Sequence, residues 1–101
     1  MTHDLQTLTI EDFRPLLNQK IGIRFTADVR LDAELIELKP FQLYTPLERE
    51  PFSMVLRTEQ WNEYYSQSIF IVEHPTKGDL PIFLVPIGLA AQGMRYEAIF
   101  S

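Results

Sequence analysis

Apolar and polar residues alternate with a period of two through most of the chain, and the breaks in the alternation predict turns. Ile21, Ile23 and Phe25 alternate with Gly22, Arg24 and Thr26, as in a half-buried strand. Ala27 and Asp28 predict a turn. Val29, Leu31, Ala33 and Leu35 then alternate with Arg30, Asp32 and Glu34, after which the parity slips to Ile36 and Leu38. A β-bulge near Leu35 and Ile36 produces such a slip. A helix over residues 31–39, with Leu31, Leu35 and Leu38 on one face, is the alternative, and the strict alternation from Val29 to Leu35 favours the strand. Residues 40–51 carry three prolines and read as an irregular connection, with a short extended piece at 41–44. Strands follow at 52–58, with Phe52, Met54 and Leu56 on one parity, and at 68–73. Residues 74–79 form a turn by composition, so 68–73 pairs with the run that begins at Leu80.

The last quarter predicts a second hairpin. Met94, Tyr96, Ala98 and Phe100 share one parity, with Arg95, Glu97 and Ile99 on the other. In residues 80–87 both parities are apolar, which fits a strand buried on both faces or covered on one by another element. Pro81 and Pro86 cannot donate to a ladder, so they limit regular pairing or place a bulge near Pro86. Residues 88–93, with glycine at each end, form the connecting loop.

Only residues 8–18 break the two-residue period in favour of a helix. Thr9 is an N-cap with Asp12 three residues on, as in a capping box, and Leu8 and Phe13 occupy the positions of a hydrophobic staple. Ile10, Phe13, Leu16 and Leu17 make an apolar stripe that Pro15 interrupts, so the helix is short, kinked or in two parts. Asn18 suits the left-handed residue that ends it. One short N-terminal helix and five or six strands predict a mainly β protein, a small antiparallel barrel or bent sheet whose helix covers an end or a face. A two-layer α+β arrangement is the alternative. No internal repeat is visible in the sequence.

A chain of 101 residues predicts one domain, spanning 1–101. It has no cysteine, which removes disulfides, thiolate metal sites and a cysteine nucleophile. The net charge of −5 argues against nucleic-acid binding through phosphate contacts. No stretch is apolar for long enough to span a membrane, and the first residues have no signal-peptide pattern, so a cytoplasmic location and no membrane partner are expected.

The segments T-I-E-D-F-x-P-L-L, P-F-S-M-V-L, E-H-P and F-L-V-P-I-G…G-M-R-Y-E-A-I-F together resemble a family of small bacterial proteins of about this length, a domain of unknown function. The resemblance spans nearly the whole chain, and the C-terminal motif is its most specific part. Asn18 stands where the family has glycine. Members occur beside genes for phage-tail-collar-like proteins, which implies a role around a tail-like or secreted structure. The resemblance carries no catalytic residues.

The residues offer few candidates for chemistry. There is no G-x-S-x-G, H-E-x-x-H or nucleotide-binding glycine loop, so no catalytic residue, metal or cofactor is assigned and no enzyme is expected. Glu73 and His74 could do acid–base work, but the other histidine, His3, lies near the N-terminus, and His74 fits a turn hydrogen bond as well. Arg95 and Glu97 share one face of a strand, which suits a solvated ion pair. Glu48, Arg49 and Glu50 read as a solvated loop. Trp61, Tyr64 and Tyr65 fall at i, i+3 and i+4 in an otherwise polar stretch, and are the best candidate for contact with a ligand or partner. The first expectation is a structural or accessory module that acts through a protein partner or self-association, with strand edges at 52–58 or 68–73 open to pairing. The alternative is a small barrel that binds a ligand or peptide at Trp61, Tyr64 and Tyr65.

Overall fold

The computed structural model describes residues 8–40, 51–60, 62–90 and 93–100. The irregular connection and extended piece expected within 41–50 lie outside them. Helix α1 (Ile10–Phe13) starts at a capping box between Thr9 and Asp12. The Thr9 N–H donates to the Asp12 carboxylate at 2.8 Å. Pro15 cannot extend the α-helical ladder, and the chain continues as a 3₁₀ turn over Arg14–Leu16. Asn18 then takes φ 67°, the left-handed value that ends the element. Its N–H donates to the Leu35 carbonyl at 2.7 Å, which delivers the chain into the sheet.

Six strands follow: β1 (Lys20–Arg24), β2 (Arg30–Pro40), β3 (Phe52–Thr58), β4 (Ser68–His74), β5 (Gly78–Ala90) and β6 (Gly93–Phe100). They form a closed barrel in the order β1-β2-β3-β6-β5-β4, with every neighbouring pair antiparallel. The barrel is therefore realised and the two-layer arrangement is not. Residues 31–39 are strand rather than helix. β4 returns beside β1 after three hairpin-connected strands, which is a Greek key. Two expectations need correction. The loop expected over residues 88–93 is mostly strand, because β5 runs to Ala90 and β6 starts at Gly93. The expected strand edges are also occupied. β3 lies between β2 and β6, and β4 pairs with β5 along its length and with β1 over 71–73.

The halves β1–β2–β3 and β4–β5–β6 are built alike, although the sequence shows no repeat. The ring order is unchanged when the halves are exchanged about a two-fold axis across the barrel. That axis passes between β1 and β4 on one side and between β3 and β6 on the other. Each middle strand is the longest of its half, with 11 residues in β2 and 13 in β5. Each pairs first with the strand before it, then shifts register by one residue against the strand after it. The shift falls between Leu35 and Glu37 in β2 and between Pro86 and Gly88 in β5. Such bulges sharpen the bend that lets six short strands close on themselves. Both were legible, one as a parity slip and the other as a proline. Gly93 is held against β3: a Cβ there would overlap the Thr58 carbonyl, and its φ is 145°.

Inward positions fill the barrel. Ile21, Ile23, Ala33, Leu35, Met54, Leu56, Val72, Leu80, Ile82, Leu84, Tyr96 and Ala98 are all nearly inaccessible. Each such large side chain contributes about 1.5–3 kcal/mol by leaving water. Aromatic clusters close the two ends. At one end Phe13 of α1 lies on Phe52 and Phe100, with ring centroids at 6.0 and 5.7 Å, and His74 meets it edge-on at 5.4 Å. At the other end the β3–β4 connection folds in Tyr65, which stacks on Phe25 at 4.6 Å beside Phe70 and Tyr96.

Candidate functional site

The two halves differ on the outside. On β1 and β2 the outward positions are Lys20, Arg24, Arg30, Asp32 and Glu34, all charged except Gly22 between them. Ion pairs cross-link them. Arg30 Nε binds Glu73 of β4 at 2.7 Å and its Nη1 binds Asp32 at 3.1 Å. Arg24 binds Glu73 at 2.9 Å and also Asp79 of β5. The Arg30–Glu73 pair lies directly over Gly22, where a Cβ would sit 2.7 Å from the Arg30 guanidinium carbon. Glycine is thus what lets the pair cross β1. Hydrogen bonds to Asp79 and to Glu73 hold the Arg24 and Arg30 guanidiniums, respectively, above the usual arginine range. A groove of about 460 Å³ beside this network is lined by Lys20, Asp32, Glu34, Arg57 and Glu59. Its cations are engaged by its own carboxylates: Lys20 with Glu59 at 3.8 Å and Arg57 with Glu34 at 3.1 Å.

On β4, β5 and β6 large apolar side chains stand among the outward positions, beside the charged Glu73, Asp79, Arg95 and Glu97. Ile69 pairs with Phe83 and Ile71 with Pro81. Val85 pairs with Glu97, and Ile99 follows Glu97 by one outward step, as Phe83 precedes Val85. Ile69 is 64% exposed, Phe83 51% and Ile99 61%, with Leu89 at 55% further along β5. The expectation that β5 is buried on both faces is therefore overturned. Leu80, Ile82 and Leu84 fill the barrel, while the second apolar parity stands in water. Exposed large apolar side chains grouped across neighbouring strands are the candidate contact surface of this barrel. The signal was present in the sequence, as the apolar residues on both parities of 80–87, and was assigned to the core instead.

The residues singled out in the sequence are separated by the fold. Tyr64 is exposed, whereas Tyr65 turns inward and its N–H donates to the Tyr96 hydroxyl at 2.9 Å. The backbone at 62–67 is not helical, so adjacent residues diverge. Trp61 lies outside the described residues, as do His3 and Glu48, Arg49 and Glu50. His74 is buried. Its Nε2 donates to the Asp12 carbonyl at 2.7 Å, and its Nδ1 accepts from the N–H groups of Thr76 and Lys77 at 3.1 and 3.0 Å. The neutral ring thus fastens the β4–β5 turn to α1, which is the turn hydrogen bond expected of it. Arg95 stands opposite Arg57, and Glu97 stands between Val55 and Val85. Among the described residues no three His, Asp or Glu side chains group so as to hold a metal ion.

A family model described as a domain of unknown function, DUF6916, matches residues 8–100. The chain belongs to the DUF6916 family. The match runs from Leu8 to Phe100, both buried members of the core. It thus takes in α1, all six strands and the apolar outer row. No curated protein and no solved structure matches the chain. Among the described residues of this DUF6916 domain no helix is long and apolar enough to cross a membrane.

Proposed function

We propose that this domain is a non-enzymatic protein-interaction module whose contact surface is the outer face of β4, β5 and β6. The observation that carries the proposal is the row Ile69, Phe83 and Ile99, three large apolar side chains more than half exposed on three successive strands. Burying such a row favours association, and aromatic side chains at its centre supply most of the energy of an interface. Strand pairing contributes little here, because β3 and β4 have neighbours on both sides. Contact is made by side chains, face to face. The barrel's apolar interior and its charged β1–β2 exterior reverse the alternation of a barrel that spans lipid, which favours a protein partner. The resemblance to proteins encoded beside phage-tail-collar-like genes directs the search for that partner to a tail-like assembly.

A photo-crosslinking amino acid at position 83, with position 32 on the charged face as control, tests the reading in the native host. Protein adducts from position 83 in clear excess over position 32 are expected. No protein adduct at 83, or equal adducts from both positions, sinks it.

A further inference from the structure

We infer that Arg95, with Arg57 opposite it, forms a binding site for an oxyanion, a carboxylate or a phosphate group. The site stands on β3 and β6 and does not depend on the apolar outer row. Arg14, Arg24, Arg30 and Arg57 each hold a carboxylate. Arg95, among the described residues, holds none. The strand register accounts for the difference. Lys20, Glu34, Arg57, Arg95 and Gly88 make one row across five strands. Arg57 finds Glu34 on the strand beside it, at 3.1 Å. Arg95 finds Gly88, because the β5 bulge between Pro86 and Gly88 brings a residue without a side chain to that place. Nη2 of Arg95 lies over this glycine, 3.7 Å from where a Cβ would stand. Glu97 is the next outward residue of β6, about 7 Å along the strand. It stands between Val55 and Val85 and makes no ion pair with Arg95.

Arg57 and Arg95 are directly opposite each other on neighbouring strands, an arrangement of like charges that opposes the pairing. Glu34 offsets one of the two charges and the other remains. An oxyanion on Arg95 offsets it, a gain that a neutral or cationic ligand cannot supply. The guanidinium is also prepared to bind. Arg95 is half-buried, and its Nε is enclosed with no acceptor. Packing therefore holds the stem, and the fork of Nη1 and Nη2 is left to bind. That fork presents two parallel donors to two oxygens of a carboxylate or a phosphate. Holding it in place before the ligand arrives reduces the ordering cost of binding. Arg57 adds a second positive charge from β3.

Nuclear magnetic resonance of the isotope-labelled full chain tests the site. The enclosed Arg95 Nε–H is shielded from exchange and gives the resonance that vanishes in Arg95→Gln. Glutarate and inorganic phosphate are titrated separately, with ionic strength held constant by potassium chloride. Saturable movement of the Arg95 Nε–H and of the Gly88 amide is expected, with little at Arg14, the exposed arginine paired with Glu11. In Arg95→Gln, followed at the Gly88 amide, binding is expected to weaken about tenfold or more. Arg95→Lys keeps the charge and loses the fork, so its affinity is expected to fall between the two. Glu97→Gln removes the nearest competing carboxylate on β6 and is expected to tighten binding. A drift that never saturates, movement equal to that at Arg14, or an affinity unchanged in Arg95→Gln overturns the site. Saturation by glutarate alone supports it as a carboxylate site, by phosphate alone as a phosphate site, and by both as a site for either group.

Discussion

The half of the barrel made by β1, β2 and β3 and the half made by β4, β5 and β6 share an interior and differ in their exteriors. Inside, Ile23 and Leu35 of one half and Ile82 and Leu84 of the other are equally inaccessible. Outside, one half carries a mesh of ion pairs that reaches Glu73 and Asp79 of the other, and the other bears exposed Ile69, Phe83 and Ile99 among its charged positions. Packing constrains the interior of both halves in the same way, because any void or excess volume is felt. Phe83 and Ile99 lie outside the barrel's core, and the contact role proposed above accounts for their being apolar. The part of a barrel that informs about function is therefore the part on which its two halves disagree.

The comparison can be broken most severely inside. Ile23→Ala and Ile82→Ala are each expected to cost about 2–5 kcal/mol in urea unfolding. A half that tolerates its substitution is not built like the other. Tyr96→Phe comes next. It leaves the Tyr65 N–H without its acceptor, at a cost of about 1 kcal/mol. Burial, opposed in part by that hydrogen bond, raises the Tyr96 phenol above its ordinary value. The fold thus favours the neutral phenol, and its contribution is complete below about pH 10 and is lost as pH rises beyond that value. Urea melts at neutral and strongly alkaline pH should show this loss in the natural chain and less of it in Tyr96→Phe. An equal alkaline loss in both places the titration elsewhere.

Smaller effects separate the exteriors. Glu73→Gln removes the anchor shared by Arg24 and Arg30, and is expected to cost no more than about 1 kcal/mol, diminishing with added salt. Smallest of all, Phe83→Ser in dilute protein is expected to stay within about 0.5 kcal/mol of the natural chain. A large loss there would mean that Phe83 supports the barrel itself, and the contrast between the halves would lose its meaning.

Much of this architecture was legible because its signals are local. The T-x-x-D cap, Pro15, the slip at Leu35 and Ile36, and the strand alternation each act within a few residues. The barrel was expected, but the strand pairings that close it were not legible. The β1–β4 and β3–β6 pairings join residues far apart in sequence, and no short-range pattern specifies them. Strand ends at Ala90 and Gly93 were missed because glycine suggests a loop, while a two-residue connection suffices there. Tyr64 and Tyr65 were grouped by a helical spacing that the extended backbone does not follow. The β5 part of the outer row, Phe83 and Val85, was read as covered because an apolar residue on a strand carries no mark of which face meets water. Only the closed barrel, which assigns one parity to the inside, reveals the other as surplus.

The contact of Phe13 with Phe52, Phe100 and His74 also constrains the order in which the molecule can form. Phe13 leaves the ribosome before all six strands, and one of the rings it rests on belongs to β6. Throughout synthesis of β1 to β5, α1 has no completed seat, and the inward side chains of the first half wait in water for the second. Closure is then a late event dominated by distant contacts, which are the slow kind. The nascent chain spends that interval with sticky surface on view, a state in which chaperones are most useful.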